Sequence, residues 1–279
     1  MAVVRSSRTR GASLVSPASS DSVLIAEKIG RVQLLKLNRP AALNAFNDDL
    51  YDAIRCALDE AEASPDVAVV VITGEGRAFS AGQDLAELEL PRRHKDGLSH
   101  GFPPFIESVE AFPKPLIAAV NGIAVGIGLT LLPHCDLVLI ADDARLRAPF
   151  VSLGVTAEAG STHLLPETIG WQESAHLLYT ASWLDAARAV DVGIAWRSVP
   201  REKLLESALE VASEIAQMPI ASLVATKKLL LDGRLDAVRA ARDRESLTFA
   251  SLVRGPANRE ALAAFREKRT ADFTRLPPE

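Results

Sequence analysis

The sequence predicts an α/β protein with parallel strands, followed by an all-helical C-terminal part. Three observations carry this reading. Residues 67–72, 115–120 and 137–141 are apolar runs of strand length, the pattern of strands buried on both faces. Helical stretches lie between them, and such alternation implies crossover connections in a parallel sheet. After about Pro200 the apolar residues fall at helical spacing and no further strand is evident.

The elements follow in order. Residues 1–20 carry Arg5, Arg8 and Arg10, no acid, and many small residues, so a disordered leader is expected. The same Arg- and Ser-rich composition also fits an organelle transit peptide, and no apolar core of signal-peptide type is present. The α/β core is assigned to residues 21–200. Residues 22–26 and 31–37 read as a hairpin turning at Lys28-Ile29-Gly30, ended by Pro40. Asn47 is placed to cap a helix that begins with Asp48 and Asp49 and presents Leu50, Ile54, Ala57, Leu58 and Ala61 on one face. Residues 87–110 are charged and weakly periodic, and a mobile loop with short helical turns is expected there. Residues 116–132 are uncharged but broken by Asn121-Gly122, which predicts a strand, a turn and a buried helix rather than a membrane span. Residues 201–279 contain four helical stretches, 204–218, 221–231, 235–253 and 257–268, separated by Pro219, Gly233 and Gly255-Pro256. This helical region is the expected place for subunit contacts.

Composition narrows the function. The chain has 279 residues and 29.9 kDa, 48% apolar and 24% charged, the balance of a globular protein. A net charge of −5 and a pI near 5.7 offer no general attraction to nucleic acid. Cys56 and Cys135 cannot build a disulfide framework, and a reducing cytoplasmic compartment is expected, with mitochondrial or peroxisomal placement as the alternative in a eukaryote. The five histidines, His94, His100, His134, His163 and His176, do not stand at metal-ligand spacing, so no metal is expected. No Gly-x-Ser-x-Gly elbow occurs. Gly126-Ile127-Gly128 lacks the third glycine of a dinucleotide fingerprint, where Leu131 stands.

Two Gly-rich junctions remain, 74–85 after the strand at 67–72 and 121–128 after the strand at 115–120. Small residues let a ligand approach the main chain, and two such junctions on neighbouring strands can aim two N–H groups at one oxygen, as an oxyanion hole does. Two ordinary turns would have the same composition.

The segments Leu37-Asn38-Arg39-Pro40, Leu43-Asn44-Ala45-Phe46, residues 77–84 and 121–128, Cys135-Asp136 and Thr226-Lys227 resemble, in order, the enoyl-CoA hydratase/isomerase (crotonase) family. The resemblance implies a crotonase-like core of repeated ββα units, an acyl-CoA substrate with no separate cofactor, and a homotrimer or hexamer packed through the C-terminal helices. It implies an oxyanion hole from the N–H groups of Ala81 and Ile127, the latter standing where glycine is frequent. Arg39, Ala42, Ala45, Phe79, Gln83, Asp84, Leu85, Gly126 and Phe150 would contact substrate or coenzyme A, and Arg77, Lys227 or Lys268 would be further candidates for its phosphates. The two glutamates of the family's hydratases fall at Thr130 and Phe150, neither of which is a base near neutral pH. Residues 148–162, with Pro149-Phe150, Leu153-Gly154 and Glu158 before Gly160, resemble the peroxisomal-type Δ3-Δ2-enoyl-CoA isomerases. Glu158 then stands at the catalytic glutamate of that branch; as an alternative, it would cap the helix that follows Gly160. The expected activity is conversion of 3-enoyl-CoA to 2-enoyl-CoA. The alternatives are hydration or another crotonase-type reaction, or a non-catalytic acyl-CoA-binding scaffold.

Overall fold

The computed structural model describes residues 22–88 and 99–276. The expected leader, 1–20, and His94 lie outside the described residues. The hairpin is formed by β1 (Leu24–Ile29) and β2 (Val32–Leu37), antiparallel about Gly30, whose φ of +60° suits glycine. α1 (Asp48–Ala63) begins where the Asn47 side chain accepts from Leu50 N–H, and it buries Leu50, Tyr51, Ile54, Leu58 and Ala61.

Next come three repeats in which a long strand is followed by a three-residue strand and then by helix. β3 (Val69–Gly74) and β4 (Ala78–Ser80) lead to α2 (Leu85–Leu88) and α3 (Phe102–Ala111). β5 (Leu116–Val120) and β6 (Ile123–Val125) lead to α4 (Ile127–Thr130). β7 (Leu137–Ala141) and β8 (Arg145–Arg147) lead to α5 (Ser161–Ile169) and α6 (Trp171–Thr180). β9 (Trp183–Asp185), α7 (Ala186–Val192) and β10 (Arg197–Val199) complete the core. The C-terminal region is α8 (Leu204–Ala216), α9 (Ile220–Asp232), α10 (Leu235–Leu252) and α11 (Pro256–Arg266).

The long strands form a sheet ordered β1-β2-β3-β5-β7-β10, parallel except for the β1–β2 pair. The short ones form a second sheet ordered β4-β6-β8-β9. Both faces of the large sheet are covered: Val69, Val70, Val71, Ile117, Ala118, Ala119 and Val120 are fully buried, and α8 crosses β2, β3, β5 and β7. The sequence reading missed the short strands because three residues carry no measurable period. It also underestimated α3. Two prolines occupy its first turn, where a missing N–H has no cost, and Phe105, Ile106 and Val109 bury against the α1 side of the core. Among the described residues no single helix is long and apolar enough to cross a membrane.

Candidate active site

The first junction is built by Asn44. Its amide donates to the carbonyls of Glu75 (2.9 Å) and Ala78 (2.8 Å), while its Oδ1 accepts from Arg39 N–H (2.9 Å). Ser80 Oγ donates to the Asn44 carbonyl at 2.9 Å and accepts from Gly82 N–H at 3.1 Å. Ala81 N–H donates to Leu43 O at 2.9 Å, so it is not available as an oxyanion donor. This corrects the expectation from sequence. Phe46 pairs in parallel with Gln83, taking Gly82 O and Asp84 N–H as its partners at 2.8 Å each. In such a pair the central residue turns its own N–H the other way. Gln83 N–H has no acceptor among the described residues and faces the β6 side of the strand.

Ile127 supplies the second donor. Gly126 has φ +55°, its N–H bonds to Arg147 O at 3.0 Å, and its carbonyl accepts from Leu129 and Thr130 N–H. Ile127 N–H has no acceptor among the described residues. Its side chain is fully buried, so the core absorbs the bulk that replaces a small residue. The two junctions touch: a Cβ on Gly82 would lie 2.9 Å from Val125 O, and one on Gly126 would lie 3.7 Å from Gly82 Cα.

Glu158 completes the site. It precedes Ala159 and Gly160, both left-handed at φ +64° and +68°, just before α5. Its carboxyl has no hydrogen-bond or ion-pair partner among the described residues. Burial, and secondarily the negative charge of Glu245, pushes it up to about 8. Burial holds His134 down to about 4, so the ring is neutral near pH 7 and its Nε2–H donates to Ala159 O at 2.8 Å. Glu158 does not cap α5. That task falls to Glu245 on α10, which accepts from Gly160 N–H (2.6 Å), Thr162 N–H (2.7 Å) and Thr162 Oγ1 (2.6 Å).

These groups line one cavity of about 1380 Å³, above the roughly 300–1,000 Å³ typical of small-ligand sites. Ala42, Ala45, Gln83, Asp84, Leu85, Gly126 and Phe150 line it as expected, together with Ala81, Ile127 and Glu158. Phe79 does not, because it is fully buried in the core. Arg39 does not either: its guanidinium pairs with Asp84 at 2.9 Å and bonds to the Ala45 carbonyl. Lys227 is buried, bonded to Lys114 O and Asp136 at 2.8 Å each, and so cannot reach a ligand phosphate. Thr130 donates to Gly126 O and stays out of the cavity. Sequence reasoning missed Tyr51, whose hydroxyl donates to Gln83 Oε1 at 2.8 Å, and the α10 residues Glu245 and Phe249. Their helical pattern signals burial, not which cavity they line. Among the described residues no group of three or more His, Cys, Asp or Glu could hold a metal.

Known proteins share this fold. The family model described as Enoyl-CoA hydratase/isomerase matches residues 27–276. The chain is similar to 2,3-dehydroadipyl-CoA hydratase of Escherichia coli, 36% identical over 90% of this chain and 98% of that protein. It is also similar to 1,2-epoxyphenylacetyl-CoA isomerase of the same organism, 32% identical over 87% and 95%. An enoyl-CoA hydratase/isomerase structure from Pseudoalteromonas atlantica superposes with a TM-score of 0.87 at 32% identity, covering 90% of this chain and 99% of the other. The architecture is therefore the crotonase-like α/β fold with a helical C-terminal region.

Proposed function

The chain belongs to the enoyl-CoA hydratase/isomerase family, and from that premise we propose that it shifts the double bond of a 3-enoyl-CoA to give the conjugated 2-enoyl-CoA. The single observation that carries this is one recessed, unpaired carboxyl, Glu158, in the same cavity as two unpaired N–H groups, those of Gln83 and Ile127. The other acids lining the cavity are otherwise disposed: Asp84 pairs with Arg39, Glu87 accepts from Asp48 N–H, Asp48 is itself engaged, Glu245 holds the α5 terminus, and Asp49 is exposed.

In the proposed reaction the thioester carbonyl oxygen accepts from both N–H groups. Ionised Glu158 removes a C2 proton, and the resulting dienolate keeps its charge on that oxygen, where each donor contributes roughly 3 kcal/mol when removed singly. Protonated Glu158 then delivers the proton to C4, and the base is regenerated. One carboxylate therefore suffices. The resemblance of the motif around Glu158 to the peroxisomal-type branch supports this reading, and the C-terminal helices would assemble a homotrimer or hexamer.

Hydration is the second reading, favoured by the names of relatives such as the 2,3-dehydroadipyl-CoA and crotonyl-CoA hydratases. It would require Glu158 to act without the family's usual pair, since Thr130 and Phe150 occupy those positions. Parallel spectrophotometric assays with 3-enoyl-CoA and 2-enoyl-CoA decide between them. Formation of 2-enoyl-CoA supports isomerisation, loss of 2-enoyl-CoA alone supports hydration, and binding with neither supports a scaffold. Glu158→Gln should lower kcat by roughly 10²–10⁴-fold. Unchanged turnover in that variant would overturn the base assignment.

A further inference from the structure

Glu245 is a buried acid that the proposed chemistry does not use. It stands 85 residues from Gly160 in sequence, yet three donors of the Gly160–Thr162 turn occupy both of its oxygens. That turn needs an outside hold. Ala159 is left-handed at φ +64° without being glycine, a conformation that persists only where the surroundings over-determine it. His134 secures the Ala159 carbonyl from one side. α10 backs the other side closely, since a Cβ on Gly160 would lie 2.8 Å from Val238 Cγ1. Glu158 is the residue just before the turn, so whatever fixes the turn fixes the backbone from which its carboxyl is aimed.

We infer that Glu245 is a positioning residue which, from α10, locks the turn carrying Glu158 while lining the same cavity as that residue. The inference rests on the proposed role of Glu158 as the base. The groups facing Glu158 are Tyr51 from α1, Glu245 from α10, and neutral His134 through Ala159. Glu245 is the one of these whose charge opposes ionisation of Glu158.

Glu245→Gln tests the inference on the full chain, because an amide removes the charge and turns a donor toward the N–H groups of Gly160 or Thr162. With 3-enoyl-CoA as substrate, the kcat reached at alkaline pH should fall at least tenfold, as misplacement of a reacting group does. The Kd for acyl-CoA should change less than threefold. The pH of half-maximal rate should move down by about one unit, a tenfold change in proton affinity. Thr162→Val removes one bond and keeps the charge, so kcat should fall severalfold with the pH profile in place. A role in stability alone would not move the pH profile of Glu245→Gln. Wild-type kcat and profile in that variant would overturn the inference. Should it fail to fold, an unchanged kcat in Thr162→Val would do so instead.

If the wild type turns over no enoyl-CoA, the functional proposal fails separately, and thermal melts from pH 6 to 9 test the inference without turnover. Glu158→Gln defines the part of the alkaline fall in Tm that belongs to Glu158. That part must shrink in the Glu245→Gln background, and its persistence undiminished would overturn the inference.

Discussion

A carboxyl that titrates near 8 is only partly ionised at neutral pH, and this sets two measurable consequences for Glu158. If ionised Glu158 is the base, kcat/KM for 3-enoyl-CoA rises roughly tenfold per pH unit below about 8 and levels above it. A rate that falls over that range would mean that the protonated form is needed. Stability runs the other way. The folded pKa exceeds the unfolded one, so the contribution of Glu158 is complete below the ordinary value of 4.5 and is lost as pH rises through about 8. Glu158→Gln should therefore melt several degrees above wild type at pH 9 and show a smaller advantage at pH 5. Glu110, pushed up to about 7 by burial, adds its own decline in both proteins. At this scale the sequence motif named Glu158 and Ile127, which line the cavity, and offered as the other donor Ala81, whose N–H is bonded to Leu43 O. Composition cannot distinguish neighbouring N–H groups in a turn. Only the pairing of Leu43, Ser80 and Phe46 with that turn leaves Gln83 as the one without an acceptor.

Elements bring the two proposed donors close together. β4 and β6 are short, parallel and adjacent, so the chain leaves both at the same edge and the turns at Gly82 and Gly126 meet backbone to backbone. Gly82 holds φ +94°, and an added Cβ would sit 2.9 Å from the Val125 carbonyl oxygen, which is main chain and cannot swing aside. Gly82→Ala should thus cost about 1–3 kcal/mol in backbone strain and displace Gln83 N–H. We expect kcat to fall 10²-fold or more while Glu158 keeps its apparent pKa. A fully active Gly82→Ala enzyme would remove this turn from the oxyanion hole. The large sheet was legible from sequence because its strands are apolar on both faces, as residues 69–72 and 117–120 are. The second sheet was not, because its strands of three residues are fixed by pairing with one another and not by local pattern.

On the scale of the whole molecule, the C-terminal helices have one job that the structure shows and a second that we propose. The first is to wall the cavity: α10 contributes Glu245 and Phe249, and α11 is anchored where the Asn258 amide donates to Leu153 O at 2.8 Å and its Oδ1 accepts from Arg254 N–H at 2.9 Å. Asn258→Ala should raise KM more than it lowers kcat and cost about 1–3 kcal/mol, the penalty of an unsatisfied buried carbonyl. The second job concerns what these helices leave uncovered. α9 buries only Lys227 along its 13 residues, while Leu229 and Leu230 are 74% and 68% exposed, Leu247 on α10 76% and Phe265 on α11 65%. A helix gains its stability in a protein chiefly by burying an apolar face, and large apolar patches on a surface mark contacts with other chains. Sedimentation should accordingly give a mass that is a multiple of the 29.9 kDa protomer, with three or six copies expected. Replacing Leu229 and Leu230 together by Asp should shift it toward one copy while leaving each protomer folded by circular dichroism. A wild-type protein that sediments as a stable monomer would refute this use of the helices, and α9 would then have to be held by the chain to which it belongs.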